Sequence, residues 1–310
     1  MSERVCVIVN PAAGRGRGSK MLPAITSAFA ELGVADIRQT RLGGDERRLA
    51  DAAIQDGCTT IVAVGGDGTT GNVANAILFG GRHVRLGVLP AGTGNDFAKV
   101  LGTRKTGIAE MARLSIEESD ARVDVGRVED NYFLNACGFG FDVAVLQELE
   151  RTVWLRGPSV YVWAALKQLF GYRGVQVTLS AGSGETDTAV RMLLVIANAP
   201  YFGGSFLIAP TASLADGKLD AISVRDLPAA RRMSVLSAAI KGTHGRFAEV
   251  SASQAESYDV SFATPPWYET DGELHMAASA SLRIICCPGA LRVVMSASAA
   301  SAAKPAALAS

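Results

Sequence analysis

The first third of the chain alternates short apolar runs with stretches whose apolar residues recur at helical spacing. Residues 4–9 form a continuous apolar run, the pattern of a strand covered on both faces. Leu22, Ile25, Phe29 and Leu32 follow at helical intervals, so the spacing predicts a helix over 19–32 that stops at Gly33. A short strand over 37–40 and a helix over 45–55, with Leu49, Ala52 and Ala53 on its apolar side, come next. The run 61–64 reads as a buried strand ending in Gly65-Gly66-Asp67-Gly68. Val73, Ala74, Ile77 and Leu78 mark the helix after it, with Thr69 and Thr70 as candidate caps. A strand over 84–89 leads into Pro90-Ala91-Gly92-Thr93-Gly94-Asn95-Asp96 and a helix through Leu101, where Asp96 alone reads as an N-cap.

The alternation stops near Arg122, and short strands dominate from there. Residues 123–128 and 132–136 read as a hairpin around Glu129-Asp130-Asn131. Further strands are predicted over 175–180, 189–197, 218–224 and 260–264, and a helix over 231–241. Two last strands, 282–287 and 290–295, flank Pro288-Gly289. An apolar helical region over 153–170 carries Trp154, Tyr161, Trp163, Leu166 and Phe170; core packing is the simpler account, a lipid-facing lip the alternative. The expected fold is an α/β N-terminal domain over 1–122 and a mainly β domain over 123–287, with an Ala/Ser-rich disordered tail over 296–310.

Composition narrows the partners. The 310 residues are 48% hydrophobic and 19% charged, ample for two cores. Thirty Lys and Arg balance 30 Asp and Glu, so no basic field favours a nucleic-acid partner. Five cysteines, odd in number and without a CxxC, suit a reduced, cytoplasmic protein. His83, His244 and His275 lack metal-ligand spacing. No secretory signal opens the chain. The uncharged stretch 192–215 is long enough to span a bilayer, but Asn198, Pro200, Gly203, Gly204 and Pro210 break it. It reads as a buried strand and a loop, which leaves only peripheral membrane contact.

Three glycine-rich turns follow predicted strands: Asn10-Pro11-Ala12-Ala13-Gly14, the Gly65–Gly68 turn and the Gly92–Asp96 turn. A strand, a glycine turn and a helix start together form an anion site, and in an open α/β sheet such sites gather at the carboxyl ends of strands. Arg15 and Arg17 add positive charge, although neither the Walker A pattern nor GxGxxG is met. Far along the chain stands Asp271-Gly272-Glu273; in extended chain its two carboxylates share a face, whereas alone it reads as a surface turn. Asp216-Gly217-Lys218 is a turn by default. Paired carboxylates near phosphates can hold Mg²⁺ through water and take a proton from an alcohol. There is no nucleophile elbow, no Ser/His/Asp order and no HExxH, so phosphoryl transfer is the chemistry that remains.

The strings Asn10-Pro-Ala-Ala-Gly14, Gly65-Gly-Asp-Gly-Thr-Thr-Gly-Asn72, Pro90-Ala-Gly-Thr-Gly-Asn-Asp-Phe-Ala98, Gly203-Gly204 with Ala209-Pro210 and Asp216-Gly-Lys218, and Asp271-Gly-Glu273 occur in order over nearly the whole chain. In this the chain resembles the diacylglycerol kinase catalytic-domain family, and more closely its bacterial soluble lipid kinases, relatives of sphingosine kinases. The resemblance implies a nucleotide domain like that of NAD kinase and phosphofructokinase, a sandwich-like lipid domain, and a segment about 288–295 that returns to the first. It implies ATP against Asn10, Thr40, Gly65, Gly66, Asp67, Gly68, Thr69, Asn72 and Thr93, and a water-linked Mg²⁺ network on Asp67, Asp96 and Asp124. Glu273 matches the family's general base, with Asp271 beside it. Asp216, with the backbone carbonyls of Ser213 and Lys218, matches a second, structural Mg²⁺ site. Leu274 departs from the pattern where proline is common, and Arg15-Gly16-Arg17 where lysines are frequent. The implied activity is an ATP- and Mg²⁺-dependent lipid kinase at the membrane periphery, acting in phospholipid biosynthesis, with diacylglycerol the first candidate substrate; a homodimer is left open. The rivals are a soluble-metabolite kinase of the NAD kinase type, which shares the Gly-Gly-Asp-Gly-Thr turn, and a non-catalytic lipid- or nucleotide-binding regulator.

Overall fold

A computed structural model of the chain describes residues 4–80, 83–117, 120–151, 167–182, 184 and 186–295. Positions 154, 161, 163 and 166 of the apolar helical region and the tail 296–310 lie outside the described residues. The chain divides into two units: Met1–Val125 with Ser213–Gly217 and Cys287–Ser310, and Gly126–Ala212 with Lys218–Cys286.

In the first unit the apolar runs become parallel strands covered on both faces, which is why they show no polar alternation. β1 (Val5–Val9), β2 (Asp36–Gln39), β3 (Thr60–Gly65) and β4 (Arg85–Pro90) line up in the order β2-β1-β3-β4, all parallel. Arg292 and Val293 of the last strand add alongside β4, also parallel. Between these strands lie α1 (Ala13–Ala30), α2 (Asp45–Gln55) and α3 (Asp67–Gly80); α4 (Asp96–Val100) and α5 (Ile108–Ile116) follow β4. α1 packs with α5 and α2 with α3. Val7, Val9, Val62, Val64 and Leu89 meet Ile25 and Phe29 of α1 and Met111 and Leu114 of α5 in one core. β5 (Asp120–Val128) leaves this unit.

Two expectations for this unit need correction. α1 is kinked at Gly14, Arg15 and Gly16, whose φ/ψ are left-handed, so its right-handed part begins just behind them, slightly ahead of the expected start at residue 19. α3 starts at Asp67, so Thr69 and Thr70 lie inside its first turn instead of capping it; the Thr70 hydroxyl bonds back to Gly66 O. α5 went unread because its nine residues are too few for a clear periodicity.

The second unit is antiparallel. Its elements are β6 (Asn131–Phe133), β7 (Ala136–Gly140), α6 (Phe141–Arg151), β8 (Val175–Ala181), β9 (Thr186–Ala197), β10 (Tyr201–Phe202), β11 (Phe206–Leu207), β12 (Leu219–Arg225), α7 (Ala229–Ile240), β13 (Val250–Ala255), β14 (Ser257–Ser261), β15 (Trp267–Thr270), β16 (Glu273–Met276) and, as far as Cys286, β17 (Ser281–Val294). The long β9 is the hub: it pairs with β7, β8 and β12. From it the ladders run to β15 and β16 through β7, and to β14 and β17 through β8. One face buries Phe133, Phe139, Leu194, Ile196, Tyr258 and Tyr268 together. The other buries Leu193, Val195, Ile222 and Val224 with Val235 and Ala239 of α7. The uncharged stretch 192–215 is thus the buried half of β9 and a loop, and among the described residues no helix is long and apolar enough to cross a membrane.

Residues 281–294 form one strand where two were expected. Pro288 and Gly289 bend it, with Gly289 at φ 56° and its N–H given to Asp124 instead of a ladder partner, but the strand continues beyond them. α6, β7 and the β15–β16 hairpin were not read from the pattern, which in this region looked uniformly like short strands.

Candidate active site

The turns after β1, β3 and β4 are locked together by their glycines. A Cβ on Gly92 would fall 2.4 Å from Gly66 Cα, so the turns after β3 and β4 can touch only because both are glycine. Gly14 is held at φ 56°, and a side chain on it would strike the Ala91 carbonyl at 2.0 Å. Ala91 and Gly92 donate their N–H groups to Gly65 O at 2.7 and 3.1 Å. Around this contact opens a cavity of about 550 Å³ lined by Gly14, Arg15, Arg17, Lys20, Gly92 and Thr93. Three cations beside glycine backbone make an anion site.

Asn10, at the end of β1, donates from Nδ2 to Glu46 Oε1 at 3.0 Å and to Thr69 Oγ1 at 3.1 Å, and Thr69 donates to the same Glu46 oxygen at 3.2 Å. Glu46 is 3% exposed and its Oε2 has no hydrogen-bond partner on the protein. Asn72 follows Thr69 at i, i+3 on one face of α3. Thr40 is buried at the end of β2, its N–H on Val9 O. Sequence reasoning missed Glu46 and Lys20. Glu46 lies on a helix that reads as polar-faced, and only its burial singles it out.

The acidic residues of this unit do different things. Asp67 accepts the backbone N–H groups of Asp96 and Phe97 at 2.7 and 3.3 Å, so it caps α4 from the neighbouring turn. Asp96 therefore does not cap that helix; the N-cap position is Asn95, and the Asp96 carboxylate pairs with Lys99 at 2.7 Å. Burial first, and the Asp96 charge second, push the Asp67 carboxyl above its ordinary range. Asp124 accepts the N–H groups of Gly217 and Gly289, each at 2.7 Å, and donates its own N–H to Leu214 O. It ties β5 to the Ser213–Gly217 segment and to the bend of β17. Among the described residues no three His, Cys, Asp or Glu side chains gather for direct metal ligation. Two adjacent carboxylates with one lysine leave net negative charge at Asp67 and Asp96, and that suits Mg²⁺, which keeps most of its waters and takes one or two carboxylates. Ser213 and Asp216 belong to this unit and Lys218 opens the second; Ser213 Oγ accepts the Ala215 N–H.

In the second unit Asp271 and Gly272 are the two central residues of the β15–β16 hairpin, at φ 51° and 91°. The extended geometry that would put Asp271 and Glu273 on one face is thus not adopted; Asp-Gly is the residue pair that a two-residue turn with both φ positive prefers. Asp271 turns inward and accepts three backbone N–H groups, from Leu134, Asn135 and Ala136 at 2.7, 2.8 and 3.1 Å. Glu273 opens β16 and is exposed. His275 and Thr270 share a 2.8 Å hydrogen bond behind the turn, and the imidazole stacks on Tyr268 at 5.1 Å.

The chain matches family models along both units. Residues 4–128 match the model of the diacylglycerol kinase catalytic domain, and residues 135–295 that of the YegS C-terminal NAD kinase beta sandwich-like domain. The chain belongs to the diacylglycerol kinase catalytic-domain family. A diacylglycerol kinase of Mycobacterium tuberculosis is 28% identical over 94% of both chains. A YegS-like lipid kinase of Chromohalobacter salexigens is 32% identical over 70% of this chain and 72% of its own. A crystal structure of a diacylglycerol kinase from Bacillus anthracis superposes at TM-score 0.68, with 23% identity over 96% and 98% of the two chains. An NAD kinase from Archaeoglobus fulgidus superposes at TM-score 0.57 with 12% identity over 96% of each, a likeness of fold. The expected family and the expected fold class, an α/β domain with NAD kinase-like neighbours and a sandwich-like β domain, are both borne out.

Proposed function

We propose that this kinase-family protein transfers the γ-phosphoryl group of ATP to a hydroxyl of a lipid, with diacylglycerol as acceptor and phosphatidic acid as product, while docked at a membrane surface. The basic, glycine-built cavity of Arg15, Arg17, Lys20, Gly92 and Thr93 carries this reading. It offers a polyphosphate three cations, and phosphoryl transfer depends mainly on positioning and electrostatic stabilisation. Asn10, Thr69 and Asn72 hold the nucleotide from the adjoining face, with Gly65, Gly66, Gly68 and Thr40 shaping its seat. Asp67 and Asp96 would hold Mg²⁺ through its waters, with Asp124 in the same network, and the ion would offset phosphate charge. Ser213, Asp216 and Lys218 would hold a second, structural ion. The name diacylglycerol kinase, carried by relatives matched over 94% and 87% of this chain, supports the lipid acceptor.

Glu273 is the general base that takes the acceptor proton. Its exposure suits a group that must meet a substrate, whereas Asp271 is committed to backbone donors and serves to hold the turn. Glu273→Gln should lower turnover by a factor on the order of a hundred with ATP affinity kept. Turnover near wild type in that variant overturns the assignment.

A further inference from the structure

The second unit buries two carboxyl groups that the proposed chemistry does not use. Asp142 is the second residue of α6, and Glu269 stands in β15 just before the Asp271-Gly272 turn. Both oxygens of Asp142 and Oε1 of Glu269 are buried and accept no well-formed hydrogen bond, although the backbone N–H groups of Asp142 and Val143 lie close enough to lower the Asp142 carboxyl. Glu269 Oε2 accepts the N–H of Gly272. The two groups meet over Gly138, the residue paired with Glu269 across the β7–β15 ladder. A Cβ there would lie 1.7 Å from Asp142 Oδ2 and 2.8 Å from Glu269 Oε1. Gly138 is therefore glycine for space, since its φ is not positive.

Two ionised carboxylates do not persist this close and this dry. One proton between them removes a charge and makes the missing hydrogen bond. We propose that Asp142 and Glu269 share a single proton, and that through it Glu269 is a positioning residue: it holds Gly272 N–H and so fixes the turn that presents Glu273. The other groups facing the pair do not relieve it. Cys137 on β7, Asp271 in the turn and the Tyr172 phenol are all acids; Glu129 faces Cys137, and Arg232 acts on Tyr172. Burial pushes the Asp142 carboxyl up to about 7, and Glu269 is raised well above its ordinary range by burial first and by Asp142 second.

The sign of the pH dependence follows. A carboxyl whose pKa is higher folded than unfolded stabilises the fold at low pH, and that contribution is lost as pH rises through the folded value. As pH rises past the raised values of both carboxyls the last proton leaves, the two charges repel, and the hold on Gly272 loosens.

The positioning half rests on the kinase reading; the shared proton does not. The test compares wild type, Asp142→Asn and Glu269→Gln in two readouts. Thermal unfolding between about pH 5 and pH 9 should show wild type losing stability relative to both variants as pH rises, because an amide hydrogen-bonds the remaining carboxyl at every pH. Infrared spectra should show a protonated-carboxyl band in wild type at pH 6 that weakens as pH rises to 9. Parallel unfolding curves and no such band overturn the shared proton. If one amide variant fails to fold, the other and the wild-type band still decide. In lipid phosphorylation, wild-type kcat should fall on the alkaline side by about tenfold more than that of Asp142→Asn, with KM for ATP unmoved. Identical kcat profiles overturn the positioning role. A wild type that phosphorylates no lipid defeats the kinase reading, while unfolding and infrared data still judge the pair.

Discussion

Asp271 offers the sharpest quantitative test of how the site is built. Its carboxylate accepts three backbone N–H groups of the Leu134–Ala136 segment. A hydrogen bond to a charged group contributes about 1.5–3 kcal/mol. Three donors sharing one carboxylate fall at the low end each, so Asp271→Ala should cost about 4–5 kcal/mol from lost bonds. Alanine at φ 51° adds about 1–2 kcal/mol of backbone strain. Against a typical total of about 5–15 kcal/mol, this variant should be barely folded. Asp271→Asn is the milder probe. Its amide oxygen can still take the Asn135 and Ala136 donors now on Oδ1, while its NH₂ faces the Leu134 N–H and repels it. Asparagine also tolerates the left-handed region, so the loss should be about 2 kcal/mol. Urea unfolding followed by circular dichroism, with m-values compared, measures both. Glu273→Gln, at an exposed position, should lose far less than either. Asp271→Ala within about 1 kcal/mol of wild type, or no difference between Ala and Asn, would refute the assignment of Asp271 as an anchor.

Two further outcomes follow from the first unit and the thiols. Gly92→Ala must push the turns after β3 and β4 apart, so ATP affinity by calorimetry should fall about tenfold or more, whereas Gly107→Ala, with open space around it, should leave affinity unchanged. Cys6, Cys58 and Cys137 are buried, and burial raises their thiols above the ordinary range. Iodoacetamide at pH 8 should therefore label Cys286 and Cys287 of the native protein well before these three, and all five after denaturation; mass mapping of peptides checks it.

The parallel half of the fold was legible because its strands are covered on both faces: 5–9 and 61–64 are apolar without interruption and too short for a helix. The second unit was legible in kind but not in detail. α6 follows directly on β7, so Phe139 and Phe141 look like one alternating strand until the chain turns at Gly140, φ 110°. The site residues were legible as strings, yet their tasks were not. Asp67, Asp124 and Asp271 each spend oxygens on backbone donors distant in sequence, and a string does not show which carboxylate faces inward. Glu46, Lys20 and the Asp142–Glu269 pair carry no local signature at all. Asp-Gly at 271–272 did carry one, the preference of that dipeptide for a two-residue hairpin turn, and the extended alternative gave way to it.

Transfer of phosphate from ATP to a lipid is measured most directly by incubating the purified protein with γ-labelled ATP, Mg²⁺ and vesicles of a total lipid extract, with NAD in a parallel reaction, and identifying the labelled product by mass. Label is expected in a phosphorylated lipid, phosphatidic acid foremost, lost in Glu273→Gln and absent from the NAD reaction. Label in NADP with none in any lipid would contradict a lipid acceptor.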